Sequence, residues 1–334
     1  MGTLAILAST ALAPTPTAAN GRVEIPIHQT MVGRSPRYSI PVSIGGQRPI
    51  DVMLDTGSVG LRVLRPRLSD DAKVSFTSTP VRYGYGSGVR IDGVLATTIL
   101  RFGAAQTRSP IPIQIVTTLG CNDRRPRCPG SRLSLEDYGF GGNGRPGAGF
   151  PAILGVSLAR LPAAQAGIVN PLRRVGDGRW IVEIPRPADD EPGRLILNPS
   201  DAEIAEFSMH RLAGRRGAAI EGCLLNDRTQ RSFCGPALLD TGAVGVRAAT
   251  FKVYRHLHWR RGIPGELVFG TDGEAQSSMS FESSMLGPAS RVTLARPRSG
   301  APPRLRPGVL PFYAFAVLYD PTSHRIGLRR RTDR

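Results

Sequence analysis

The chain has 334 residues, enough for about two domains of ordinary size. Its net charge of +17 is carried almost wholly by arginine, with Lys73 and Lys252 as the lysines. Such a charge favours anionic surfaces as partners, but the arginines are scattered and build no nucleic-acid-binding module, so no specific nucleic acid is expected.

Residues 1–20 are apolar from Leu4 to Ala13 and then turn small and proline-containing. Thr17-Ala18-Ala19 suits a signal-peptidase site, with Asn20 opening a mature, periplasmic or secreted chain. A disordered tail is the alternative, since no Lys or Arg precedes Arg22. The run is too short to cross a bilayer, and no later stretch approaches about 20 apolar residues.

From Arg22 onward, short β-branched runs are broken by many of the 39 glycines and 29 prolines. The class is therefore all-β. Arg37–Gly57 alternates apolar and polar residues around Gly45-Gly46, the pattern of a hairpin. Val81–Leu95 reads as a second hairpin with a glycine-rich tip, and Ser109–Val116 as a strand. Cys121–Gly149 reads as loop, with Gly139–Gly149 expected to be mobile. Phe150–Leu161 is a buried strand turning into a short helix. Two further strands flank the acidic turn Pro187–Pro192. A boundary after Asp201 divides an N-terminal half, 21–201, from a C-terminal half, 202–334. Strands follow in the second half as in the first, with Arg296–Pro307 expected as an exposed basic loop.

Cys121 and Cys128 form one close pair, and Cys223 and Cys234 another. In an exported chain this spacing suggests two small disulfide loops. A metal site would need tighter knuckles with spaced histidines. His256 and His258 are the one His cluster and suit a surface turn beside Trp259.

The strongest signal is a repeat. "LDTGSVGLR" runs from Leu54 to Arg62, and "LDTGAVGVR" from Leu239 to Arg247. One Asp-Thr-Gly alone is a common turn, but two in matched apolar contexts indicate one half-site made twice. If the halves pack about a twofold axis, Asp55 and Asp240 face each other. Two carboxyls at that distance hold one proton between them. One can then take a proton from water while the other donates to a carbonyl, with neither metal nor cofactor required. Thr56 and Thr241 can brace the two turns, and Gly57 and Gly242 let backbone N–H groups approach the carboxyls. Ser58 can donate to Asp55, whereas Ala243 cannot serve Asp240, so the proton is expected on Asp240.

These residues resemble the pepsin-like aspartic peptidases, in a divergent bacterial form. The resemblance covers most of the chain after about residue 35. Val52–Leu64 resembles the family's first catalytic loop, Tyr83–Gly88 its flap, Ile153–Gly155 the brace of the first loop, and Pro192–Asp201 the strand closing the first lobe. Leu238–Val246 resembles the second catalytic loop and Gly308–Leu328 the C-terminal signature. The resemblance implies a bilobal fold of two β-barrel-like lobes with a cleft between them. It implies catalysis by Asp55 and Asp240, with Tyr83 and Gly84 in a flap over a polypeptide substrate. Several positions depart from the family pattern. Arg62 stands where a tryptophan usually partners the flap, Tyr85 where a small hydroxyl residue is usual, and Arg306-Pro307 where two apolar residues precede the glycine.

Arg62 and Arg247 end the two repeats at equivalent positions. They either line a subsite that favours acidic side chains or turn to solvent and pair with acids. Two functions are thus open. One is an exported, monomeric aspartic endopeptidase. The other is an inactive relative whose cleft binds a peptide or an anionic envelope component.

Overall fold

The computed structural model describes residues 21–161, 165, 167–187, 189–214, 217–250, 259–270, 275–297 and 302–332. The N-terminal segment 1–20 and the pair His256 and His258 lie outside them.

The chain is all-β. Strands β1 (Val23–Val32), β2 (Ser35–Ile44) and β3 (Ile50–Asp55) form an antiparallel meander. On β2, Tyr38, Ile40, Val42 and Ile44 alternate into the core and are fully buried, each contributing about 1.5–3 kcal/mol. The β2–β3 turn falls at Gly45 and Gly46, as expected, and both take positive φ. Strand β4 (Val59–Leu64) leaves the first Asp-Thr-Gly turn. Strands β5 (Ser75–Gly84) and β6 (Val89–Thr98) form the glycine-tipped hairpin, longer than the sequence suggested. Strands β7 (Leu100–Phe102) and β8 (Ala105–Gln106) make a small hairpin, and β9 (Ile111–Cys121) follows. Residues 122–149 are turns and one short 3-10 segment, Pro129–Arg132.

Strand β10 (Ala152–Val156) does not turn into a helix. Ser157 instead continues the pairing by donating its N–H to Ser58 O, and Asn170 Nδ2 donates to Ser157 O. These bonds hold the segment extended. Strands β11 (Trp180–Glu183) and β12 (Gly193–Leu197) pair across the acidic turn. Helix α1 (Asp201–Ala205) opens with a capping box between Ser200 and Glu203.

The second half contributes β13 (Ser208–Arg211), then β14 (Ile220–Asn226) and β15 (Arg231–Leu239) as a hairpin. Then come β16 (Val246–Ala249), β17 (Pro264–Phe269), β18 (Ser277–Glu282) and β19 (Val292–Ala295). Strand β20 (Arg304–Gly308) occupies the end of the segment expected as a basic loop. Leu305 and Pro307 are buried there, which the arginine-rich spelling concealed. Helix α2 (Pro311–Ala314) and strands β21 (Phe315–Asp320) and β22 (Arg325–Arg330) close the chain.

Among the described residues the strands form a 15-stranded and a 7-stranded mixed sheet. The larger runs β13-β22-β21-β11-β12-β1-β2-β3-β10-β4-β9-β6-β5, with β7 and β8 off that path. Strands from both sides of Asp201 share it, so the two halves are joined by backbone pairing. Tyr38 and Tyr313 add a buried hydroxyl–hydroxyl bond of 2.9 Å, and Trp180 stacks on Tyr319. The smaller sheet runs β18-β17-β14-β15-β20-β16-β19.

One local arrangement occurs twice. Strand β10 runs parallel to β3 and antiparallel to β4, and β4 runs parallel to β9. In the same way β20 runs parallel to β15 and antiparallel to β16, and β16 runs parallel to β19. The repeated nonapeptide is thus the visible part of a repeated fold unit.

Candidate active site

The brace strands position the two turns. Gly155 on β10 pairs with Asp55 and Gly60, and a Cβ there would lie 2.6 Å from the Ser58 carbonyl carbon. Gly308 does the same in the second copy, where a Cβ would lie 2.6 Å from Gly245 O. Asp240 N–H donates to Gly308 O and Val309 N–H to Ala243 O. Arg306-Pro307 therefore does not prevent bracing, although it leaves a mark. β10 and β3 pair in unbroken register, whereas β20 carries one residue more than β15 between Leu305 and Gly308. Pro307 has no N–H for the ladder, so a bulge falls there.

The turns interlock. Thr56 N–H donates to Thr241 Oγ1 at 3.1 Å, and Thr241 N–H to Thr56 Oγ1 at 3.0 Å. Each hydroxyl then donates to the carbonyl that precedes the other turn's aspartate, Thr56 to Leu239 O and Thr241 to Leu54 O. All four bonds are buried.

This interlock sets the aspartates against each other. A Cβ at Gly57 would lie 2.4 Å from the Asp240 carboxyl, and one at Gly242 2.6 Å from Asp55 Oδ1. Only glycine fits either place. Asp55 accepts from Gly57 N–H at 2.8 Å and from Ser58 Oγ at 2.5 Å. Asp240 is pushed up to about 7, by burial first and then by the charge of Asp55, while Arg306 acts in the opposite sense. Of the two, Asp240 is thus the one whose proton affinity is raised, and it is the one without a hydroxyl donor at the next position but two.

The flap-like hairpin presents Tyr83 half-buried, with its ring edge-on to Tyr85 at 4.8 Å. Gly84 ends β5 beside it and is exposed. Beneath lies Arg62, 1% exposed, with its guanidinium 3.7 Å from the Tyr83 ring centre. Its Nη1 donates to Val59 O and Gly60 O, while Nε is buried without a partner. Arg62 thus lines no open subsite in this structure; it props Tyr83. Arg247 is exposed on β16, in register with Arg306.

The cysteines pair as expected, Cys121 with Cys128 and Cys223 with Cys234. The first bridge packs beside Val89 and Ile91 next to the tip of the hairpin, and the second joins directly opposed residues of β14 and β15. Disulfides fit an oxidising compartment. Among the described residues no helix is long and apolar enough to cross a membrane, and no cluster of His, Cys, Asp or Glu is placed to hold a metal ion.

Two further arginines lie near the carboxyls, of which the sequence marks only Arg306, as a departure before the brace glycine. Arg37 is buried on β2 and donates to Gly242 O, Gly141 O and Asn143 Oδ1. Burial lowers the affinity of Arg37 for its proton, against the opposing pull of Asp240 and Asp55. A lone arginine among the small residues Ser39, Pro41 and Ser43 of one strand face was the available signal. Arg306, within the segment expected as a basic loop, lies on strand β20. No protein-family model matches the chain, and no curated protein does.

Proposed function

We propose that this chain is an aspartic endopeptidase of bilobal, pepsin-like architecture that works outside the cytoplasm. The observation that carries this reading is the carboxyl pair. Asp55 and Asp240 each pack against the other's turn glycine, and they differ in their surroundings, Asp55 accepting a bond from Ser58 while burial and the charge of Asp55 push Asp240 up.

The chemistry follows from that difference. A water between the carboxyls gives a proton to Asp55 as its oxygen attacks a peptide carbonyl carbon. Asp240 gives its proton to the carbonyl oxygen, leaving a neutral gem-diol. On collapse the C–N bond breaks and the departing nitrogen takes the proton from Asp55. One gem-diol hydroxyl returns its proton to Asp240. The interlocked threonines keep the carboxyls in place at no reorganisation cost during the reaction. Tyr83 closes the cleft from above. A polypeptide is the substrate class, and the two disulfides suit export to the periplasm or the medium.

An unbiased peptide-cleavage assay between about pH 3 and 8 tests this. Cleavage should be abolished by Asp55→Asn and by Asp240→Asn, and blocked by a statine-type inhibitor. Cleavage that survives either substitution rules the reading out. The alternative is a cleft that binds a peptide or an anionic envelope component without cutting it. It draws on Arg37, whose bond to Gly242 O occupies a carbonyl beside Asp240. Saturable peptide binding with no cleavage at any pH would favour it.

A further inference from the structure

We propose that Arg306 is the specificity-determining residue of the cleft, binding a carboxylate carried by a substrate side chain beside the scissile bond. This rests on the reading of the cleft as a polypeptide site. Four observations lead to it.

The first is placement. The bulge in β20 adds one residue between Leu305 and Gly308, directly before that brace glycine of the second turn, and Arg306 stands two positions from it. Bulges re-aim side chains, and this one acts on Arg306-Pro307. The corresponding strand of the first half, β10, has no such irregularity.

The second is reach. Arg306 Nη1 lies 3.6 Å from where a Cβ of Gly86 would be, and among the described residues no atom beyond Gly86 and its chain neighbours is nearer. Gly86 stands at the tip of the β5–β6 hairpin. The guanidinium therefore spans from the second turn to the hairpin that covers it. The same group acts electrostatically on Asp240. Arg306 thus lies between the carboxyl pair and the roof of the cleft, where a bound chain must pass.

The third is an unused donor set. Arg306 is half-buried, and no described residue accepts a hydrogen bond from it. Arg37 and Arg62 differ, for their guanidinium groups already donate to carbonyls. A guanidinium has five N–H donors in a fork that matches a carboxylate.

The fourth is charge. With one proton shared, Asp55 and Asp240 carry one negative charge. Arg37 and Arg306 both act on this pair and bring two positive charges. Arg247 stands directly opposite Arg306 in antiparallel register, so a further positive charge shares that face. Like charges directly opposite one another are destabilising, and an anionic group between them relieves the strain. The acidic preference that the sequence suggested through Arg62 and Arg247 thus moves to Arg306.

The test uses two matched peptides that differ only by Glu or Gln beside the scissile bond. The scissile bond is replaced by a reduced isostere, and binding to the full chain is measured by calorimetry. A cleavable pair is assayed in parallel. Wild type should bind and cleave the Glu peptide about tenfold or more better, the effect of a charge-assisted bond in a partly dry site. Arg306→Gln should collapse the ratio to near one, and Arg306→Lys should restore part of it. An equal Glu-to-Gln ratio in wild type and Arg306→Gln overturns the inference. A binding preference that depends on Arg306, without cleavage, supports the inference while removing the peptidase reading. Cleavage without any Glu preference does the reverse.

Discussion

Thr56 and Thr241 exchange hydrogen bonds across the two halves, each N–H meeting the other's hydroxyl at 3.1 and 3.0 Å. The exchange gives the carboxyl pair its geometry, because each hydroxyl also holds the carbonyl before the opposite aspartate. Thr241→Val keeps the shape but leaves Thr56 N–H and Leu54 O buried and unpaired. Unmet buried groups cost roughly 1–3 kcal/mol each. The variant should lose about 2–4 kcal/mol and melt about 5–10 °C lower. An unchanged melting temperature would show that the interlock is decorative.

The proton on Asp240 sets a pH window. Its folded-state affinity is raised from the usual carboxylate range to about 7. Between roughly pH 4 and 7 the native chain therefore holds a proton that the unfolded chain has released. The stabilisation is full below about pH 4 and is lost as pH rises through about 7. Activity should fall along the same upper limb, since the general acid is then ionised. Ala243→Ser would offer Asp240 the donor that Ser58 offers Asp55, which favours the ionised form. The upper limb of kcat/KM should then move to lower pH, as a pH–rate profile of the two proteins would show. A limb that stays put or moves upward would contradict the assignment of the proton.

Much of this site was legible because its parts are local. Asp55, Thr56, Gly57 and Ser58 are consecutive, and the copy at Asp240 announces a partner. The cysteines paired within each half for the same reason. What escaped was set by register between distant strands. Arg62 reads as either a subsite residue or a solvent-facing one, since a motif position cannot show that β9 and β10 flank it on both sides and seal it beneath Tyr83. Arg306 looked like loop, since a strand spelled Arg-Leu-Arg-Pro-Gly gains its burial only from β15 and β16. The short helix expected after Val156 failed because Ser157 found a backbone partner in Ser58. Nothing in the alternation of residues 152–161 encodes that contact.

Arg62 supports Tyr83 at a cost to itself. Its buried Nε lacks a partner, which costs roughly 1–3 kcal/mol, while stacking on the ring returns about 2 kcal/mol. The two nearly cancel, but Nη1 also donates to Val59 O and Gly60 O, so Arg62→Met should lose roughly 1–2 kcal/mol and melt a few degrees lower. A local effect should accompany this. Amides of Tyr83–Gly88 should exchange with solvent about tenfold faster, and kcat/KM should drop by a similar factor, as expected for about 1.4 kcal/mol. Unaltered exchange in the hairpin would mean that Tyr83 does not depend on Arg62.

The bridge between Cys121 and Cys128 anchors the other side of the same hairpin. Asn122 N–H donates to Gly88 O, and Gly88, at φ +100°, has Arg125 and Cys128 packed where a side chain would sit. A closed loop of this length restrains the unfolded chain by roughly 2–3 kcal/mol. Cys223–Cys234 closes a loop of similar size but joins strands already paired along their length. Replacing either pair by serine should therefore lower the melting temperature by comparable amounts. Only the Cys121 and Cys128 double variant should also speed amide exchange at Tyr83–Gly88 and depress kcat/KM more than its stability loss explains. Equal effects of the two double variants on hairpin exchange would show that the first bridge stabilises the chain without holding the hairpin tip.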